Sequence, residues 1–322
     1  MTTRRTKVVA VVLLAIIALA YALRSPHGGT LALQTANIHT LYPHEHDPGD
    51  SVLSQSHHEN AISNVVVTPR DLWVTSISGK MVNAPSNTLH HGELLRPDTM
   101  GTGSVCASAY GAGELLSFGQ DHMYSPRIAL PAGYALFIPK GVPLVLGVML
   151  HNPLPPVGPG GTYRNVSARL ALEEATSTQY LTPVTFRLLH LEREPCKTTE
   201  NGYEFEVPAH AKDFVFGYPK GTAPDPASYT FERGATVVYM GAHIHGWEGG
   251  KELRVYKNGV LLTTFKTLKD AEDTYRYDTP HYATSLRMQA GDTLSIEAVY
   301  DNPYDVPLTG AMGMMGFYYA QE

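Results

Sequence analysis

The chain has 322 residues, a net charge of −6 and a charged fraction of 17%. It carries no basic block beyond its first positions, which argues against a nucleic-acid partner, since phosphates call for clustered Lys and Arg. Gly 29, Pro 23 and Tyr 19, with many Val and Thr, favour strands and turns over helices.

In chain order, residues 1–24 read as a targeting segment. Arg4, Arg5 and Lys7 precede an uncharged apolar run of 16 residues from Val8 to Leu23, with small residues at Ala18, Ala20 and Ala22. A spanning helix needs about 20 residues, so signal peptide and signal anchor both stay open. Either way the body is expected to be exported. It faces the extracytoplasmic side of a membrane, or is secreted or periplasmic if the segment is cut. No cysteine follows the run, which excludes lipid attachment there.

Residues 25–62 are polar and His-rich, with His27, His39, His44, His46, His57 and His58, and read as a lead-in loop. From residue 63 short apolar runs alternate with turns. Strands are expected at 64–68, 72–77, 134–138, 144–150, 164–172, 184–191, 214–218, 236–240, 253–257, 260–265, 293–300 and 313–319. Residues 110–118 and 268–274 are expected to be at most short turns of helix. A seam near 174–182 divides the body into 63–177 and 178–322. The predicted fold is all-β: two tandem antiparallel β-sandwich, jelly-roll-like domains behind the apolar segment. Cys106 and Cys196 fall one in each half, as a disulfide or as two buried thiols.

The residues that carry chemistry are histidines and methionines. His243 and His245 are two apart in a strand-like stretch, so both side chains project to one face and can grip one ion. Met314 and Met315 lie in the last strand and Met312 on its loop side, and thioether with imidazole selects copper over zinc or iron. Upstream, His90 and His91 are adjacent. On a regular strand they point to opposite faces, so one metal can use both only where the backbone bends or where one binds through Nδ1 and the other through Nε2. His151 follows the run 144–150 and precedes Asn152-Pro153. Taken singly, each of these residues also reads as ordinary packing.

In this order the motifs resemble one family, the copper type II, ascorbate-dependent monooxygenases, which include the peptidylglycine α-hydroxylating and dopamine β-monooxygenases. The resemblance rests on Asn87-Thr88-Leu89-His90-His91 and on Met149-Leu150-His151-Asn152-Pro153. It rests also on His243-Ile244-His245-Gly246 with the hairpin around Lys257-Asn258-Gly259. Near the end it draws on Gly291-Asp292, Tyr300, a methionine and Tyr318-Tyr319. It spans residues 63–322.

The resemblance implies a copper at His90, His91 and His151 for electron transfer. It implies a second copper at His243, His245 and a methionine for oxygen, with ascorbate or another reductant as co-substrate. Met312 is the expected thioether ligand, with Met314 and Met315 as alternatives. The implied activity is hydroxylation of an activated C–H bond in a small-molecule or peptide-like substrate. Two departures bear on that substrate. The family's peptide-hydroxylating members carry an Arg at the position of Gly241 and a Tyr at that of Gly316, so a glycine-extended peptide is not expected. A non-catalytic, exported copper-binding or copper-delivery protein is the alternative. A cupin reading, from Gly133–Gly141 and His243-x-His245-x-x-Glu248, fails on the order of its two motifs.

Overall fold

The computed structural model describes residues 28–41, 59–85, 88–96, 114–119, 127–150, 162–178, 180–191, 205–217, 227–245, 249–269, 275–277 and 281–322. The first half contributes β1 (Thr30–Gln34), β2 (Ile38–Leu41), β3 (Glu59–Ile62), β4 (Val66–Val67), β5 (Leu72–Val82) and β6 (Leu89–Leu95). It continues with β7 (Glu114–Gly119), β8 (Arg127–Ala129), β9 (Tyr134–Ile138), β10 (Pro143–Leu150) and β11 (Tyr163–Glu174). The second half holds β12 (Thr182–Leu191), β13 (Phe205–Val207), β14 (Phe214–Phe216), β15 (Ser228–Thr230), β16 (Ala235–Ile244) and β17 (Gly250–Lys257). It ends with β18 (Val260–Lys269), β19 (Tyr275–Tyr277), β20 (His281–Met288), β21 (Thr293–Tyr300), β22 (Leu308–Ala311) and β23 (Gly313–Gln321). The fold is an all-β sandwich without a closed barrel.

Alternation explains most of these strands. In β10 every second residue is buried, which is the period of a sheet with one face on a core. The β17–β18 hairpin turns on Asn258 and Gly259, both at positive φ, with Lys257 paired to Val260. A two-residue turn needs that backbone, and Asn-Gly adopts it at little cost.

Two expectations are corrected. The lead-in 25–62 is not all loop, because it includes β1, β2 and β3. β1 and β2 lie on the outer side of β11, and an edge strand needs only one apolar face, here Leu31 and Leu33. Residues 114–118 and 268–269 are strand rather than helical turn, since pairing with β6 and with β19 overrides a weak local preference.

The described strands make four sheets. The ten-stranded one runs β1-β11-β5-β9-β12-β23-β16-β20, with β2 on β11 and β8 on β5. It crosses the 177/178 seam through β9 and β12, the single parallel pairing among those described. One sandwich sets β1-β11-β5-β9 against the sheet β3-β10-β6-β7, with Leu33, Val74, Leu170, Leu94 and Leu146 in its core. The other sets β12-β23-β16-β20 against β14-β21-β17-β18-β19, around Met240, Ile244, Met315, Phe317, Val255 and Ile296. The reverse face of β12, β23 and β16 belongs to the first core, through Phe186, Leu188, Tyr239, Met312, Met314 and Tyr318. These three strands are thus a wall shared by both halves. No helix among the described residues is long and apolar enough to cross a membrane; residues 1–24, with Cys106 and Cys196, lie outside the described set.

Candidate metal centre

β16 alternates across the shared wall. Met240, Ala242 and Ile244 enter the second core. By the same period Tyr239, Gly241, His243 and His245 face the first. Both histidines are buried, at 6% and 3% exposure. Their ring centres stand 5.2 Å apart at 82°. A metal–nitrogen bond of about 2 Å puts each ring centre roughly 3 Å from the ion, so a tetrahedral angle separates the two by about 5 Å. The observed pair fits one ion.

Cross-strand register supplies the neighbours. His243 pairs with Met314, Ile244 with Gly313 and Ala242 with Met315. Met314 therefore shares the histidine face, and Met312, two residues back, does too. Met315 points the other way, into the second core. Gly313 separates the two wall-facing methionines, and a Cβ there would meet Leu191 at 2.8 Å and Leu253 at 3.1 Å. The glycine lets β23 close on the second core and leaves Met312 and Met314 facing the first. Among the described residues no group of three or more His, Cys, Asp or Glu side chains is gathered for a metal. Met312 and Met314, on the histidine face, are thioether donors of the soft kind that suits Cu(I).

The strand ends are tied by Tyr300, whose side chain is fully buried. Its hydroxyl accepts from the Met312 N–H at 3.0 Å and the His245 N–H at 3.3 Å, and donates to the Met312 carbonyl at 2.7 Å. One oxygen thus holds the backbones of His245 and Met312 together just past the end of regular pairing. Beyond His245, the Gly250 N–H donates to the His245 carbonyl at 3.1 Å. A Cβ at Gly250 would crowd that carbonyl at 2.7 Å, and one at Gly249 (φ +87) would strike the Asp301 carbonyl, so both positions call for glycine.

In the first half, β6 carries a β-bulge at the histidine pair. Met149 pairs with His91 and Leu150 with Leu89, which leaves His90 as the extra residue. The backbone is therefore irregular at the two adjacent histidines. Leu150, joined to His151, is the partner of Leu89, joined to His90, so the chain brings both attachment points to one end of the β6–β10 ladder. His151 itself lies outside the described residues. Two positions past His91, burial pushes the Glu93 carboxyl up to about 7.

Sequence reasoning missed one residue here and the role of another. His190, on β12, is fully buried and pairs with Met314 from the side opposite His243. In an apolar run a single histidine reads as core, and only the register reveals its neighbours. Tyr300 stands in the motif, but its hydroxyl's role depends on the packing of β21 under two other strands.

No protein-family model matches the chain, and a search of curated proteins finds no match. Among solved structures it is similar to a peptide-N(4)-(N-acetyl-β-D-glucosaminyl) asparagine amidase at 10% identity and TM-score 0.36, covering 91% of this chain and 96% of that one. A recombinant peptide N-glycanase F gives 12% identity and TM-score 0.37, with 91% and 96% covered. The major capsid protein P2 of bacteriophage PM2 gives 7% and 0.32, with 91% and 98% covered. Likeness this distant carries nothing about activity or substrate.

Proposed function

We propose that the chain is a copper-dependent monooxygenase that hydroxylates an activated C–H bond with O2 and an external reductant such as ascorbate. The observation that supports it is two buried imidazoles at the spacing of one ion, His243 and His245, with Met314 paired to His243 and Met312 buried two residues away. When bound there, copper supplies the one-electron chemistry that O2 reduction requires. The protein's own groups do the rest. The two imidazoles would offer nitrogen donors, and Met312 a soft donor that favours the reduced ion. Tyr300 keeps His245 and Met312 in register, and burial keeps bulk water from the reacting face. His90, His91 and His151 would hold the second copper, the first two of them on the β6 bulge. The N-terminal segment 1–24 supports an extracytoplasmic location.

The test is copper stoichiometry with oxygen consumption in the presence of ascorbate. Two coppers per chain, with oxygen use coupled to a hydroxylated product, support the enzyme. Full copper loading without coupled turnover on amines, aromatics and peptides favours the copper-binding reading instead.

A further inference from the structure

Met312 stands where β22 gives way to β23 and belongs to neither strand. On its far side the long ladder of β23 with β12 and β16 fixes the chain from Gly313 onward. On its near side β22 has little of that kind. Its ladder with β13 consists of Val207 with Leu308 and Phe205 with Ala311, and the register shifts between them. Three steps on β22 match two on β13, so one residue is extra, as in a bulge. A ladder this short specifies its register weakly, and a slip of one residue would re-aim the residue that follows it.

Asn302, in the loop from β21 to β22, is 1% exposed and joins the two strands just beyond that ladder. Its amide nitrogen donates to the Val306 carbonyl at 2.8 Å, on the approach to β22. It also donates to the Pro208 and Val207 carbonyls at 2.9 and 3.2 Å, at the end of β13. Its Oδ1 accepts from the Tyr304 N–H at 3.0 Å, and its own N–H donates to the Ala211 carbonyl at 2.7 Å. Asparagine suits this place because one short amide offers two N–H donors and an acceptor, whereas an aspartate would set lone pairs against the carbonyls. The root of the loop is fastened beside it. The Asp301 N–H donates to the Gly249 carbonyl at 2.9 Å, and the Asp301 Oδ1 accepts from the Asp213 N–H at 2.7 Å.

The segment from Val306 to Met312 is therefore held at both ends by residues two apart in the chain. Asn302 holds the Val306 carbonyl, and Tyr300 holds the N–H and the carbonyl of Met312. We propose that Asn302 is a positioning residue for the Met312 thioether: it sets the register of β22 against β13 and so keeps Met312 on the face of His243 and His245. An outer group of this kind, touching no metal, decides how well an inner ligand is presented. The proposal rests on the copper reading for what Met312 binds, not for the register.

The test uses the full chain, first metal-free and then loaded with Cu(I) without oxygen. In the metal-free protein, Asn302→Ala should speed hydrogen exchange of the Met312 N–H and of the β13–β22 amides by about tenfold, the worth of a lost hydrogen bond between buried groups. Exchange in β10 and β11 of the first half should not change. In the Cu(I) protein the same variant should weaken copper about 10- to 100-fold at the second site alone and remove the sulfur scatterer from the X-ray absorption spectrum. Asn302→Ser keeps one donor and should fall between wild type and Asn302→Ala in both measurements; it carries the test if the alanine variant does not fold. Unchanged exchange at Met312 overturns the proposal. So does faster exchange with the sulfur signal and the second-site affinity kept, which would leave Asn302 a structural role only. A wild-type chain that takes no Cu(I) at His243 and His245, and whose Asn302→Ala variant still exchanges faster at Met312, supports the register role and removes the copper reading.

Discussion

The two histidine sets are positioned by opposite means. In the second half, regular alternation along β16 turns His243 and His245 to one face, and regular pairing with β23 brings Met314 beside them. In the first half regularity would separate His90 from His91, and a bulge interrupts it there. A strand can present every second residue without any special feature, whereas two consecutive residues need a local break in the ladder. The second set is accordingly placed by two strands of the shared wall, and His90 and His91 by the irregular end of one ladder.

The most severe way to break this comparison is His243→Ala. It should reduce turnover to background and remove one of two coppers per chain, measured by metal analysis after dialysis. Loss of both coppers would mean the two sets do not act as separate sites.

Methionine substitutions sharpen the second set. Met312→Leu should remove the sulfur scatterer from the X-ray absorption spectrum of the Cu(I) protein and lower turnover by about the same factor as it lowers coupled oxygen use. Met314→Leu conserves volume, should cost under about 1.5 kcal/mol of stability, and should leave the sulfur in place. A sulfur signal lost from Met314→Leu and kept in Met312→Leu would reassign the ligand to the methionine opposite His243.

Tyr300→Phe removes one oxygen and leaves the ring. Stability should fall by about 1–3 kcal/mol in denaturant titration, because the His245 and Met312 N–H groups lose a buried acceptor. Copper affinity should fall at the second site alone. Equal weakening at both sites would assign Tyr300 to general packing.

The smallest effect belongs to the first half. Burial raises Glu93 from 4.5 to about 7, so between those values the folded chain holds more protons than the unfolded one. Its contribution to stability is therefore fully present below about pH 4.5 and declines as pH rises through about 7. Melting of the metal-free protein across that window should show the decline, and Glu93→Gln should flatten it.

Much of the strand pattern was legible. The expected run 134–138 is β9 and 293–300 is β21, residue for residue, and 144–150, 164–172 and 184–191 fall within one or two residues of β10, β11 and β12. Alternating burial leaves its mark on a single segment, so composition and period suffice. The edge strands β1 and β3 were hidden because their polar, His-rich neighbourhood dilutes the period. Within the site, the common face of His243 and His245 was legible for the same local reason. The exclusion of Met315 from it was not, because that depends on which residue of β16 faces which residue of β23.

Sequence alone determined the all-β class, the two-residue spacing that turns His243 and His245 to one face, and the thioether-rich last strand. These are properties of short stretches, set by a side-chain period of two and by ligand chemistry. Tertiary structure decided the rest. It set His190 beside Met314, joined Gly241 to Gly316, brought the Tyr300 hydroxyl to two strand ends and placed the bulge at His90. Each of these joins residues far apart in the chain, and only the pairing of whole strands fixes such a register.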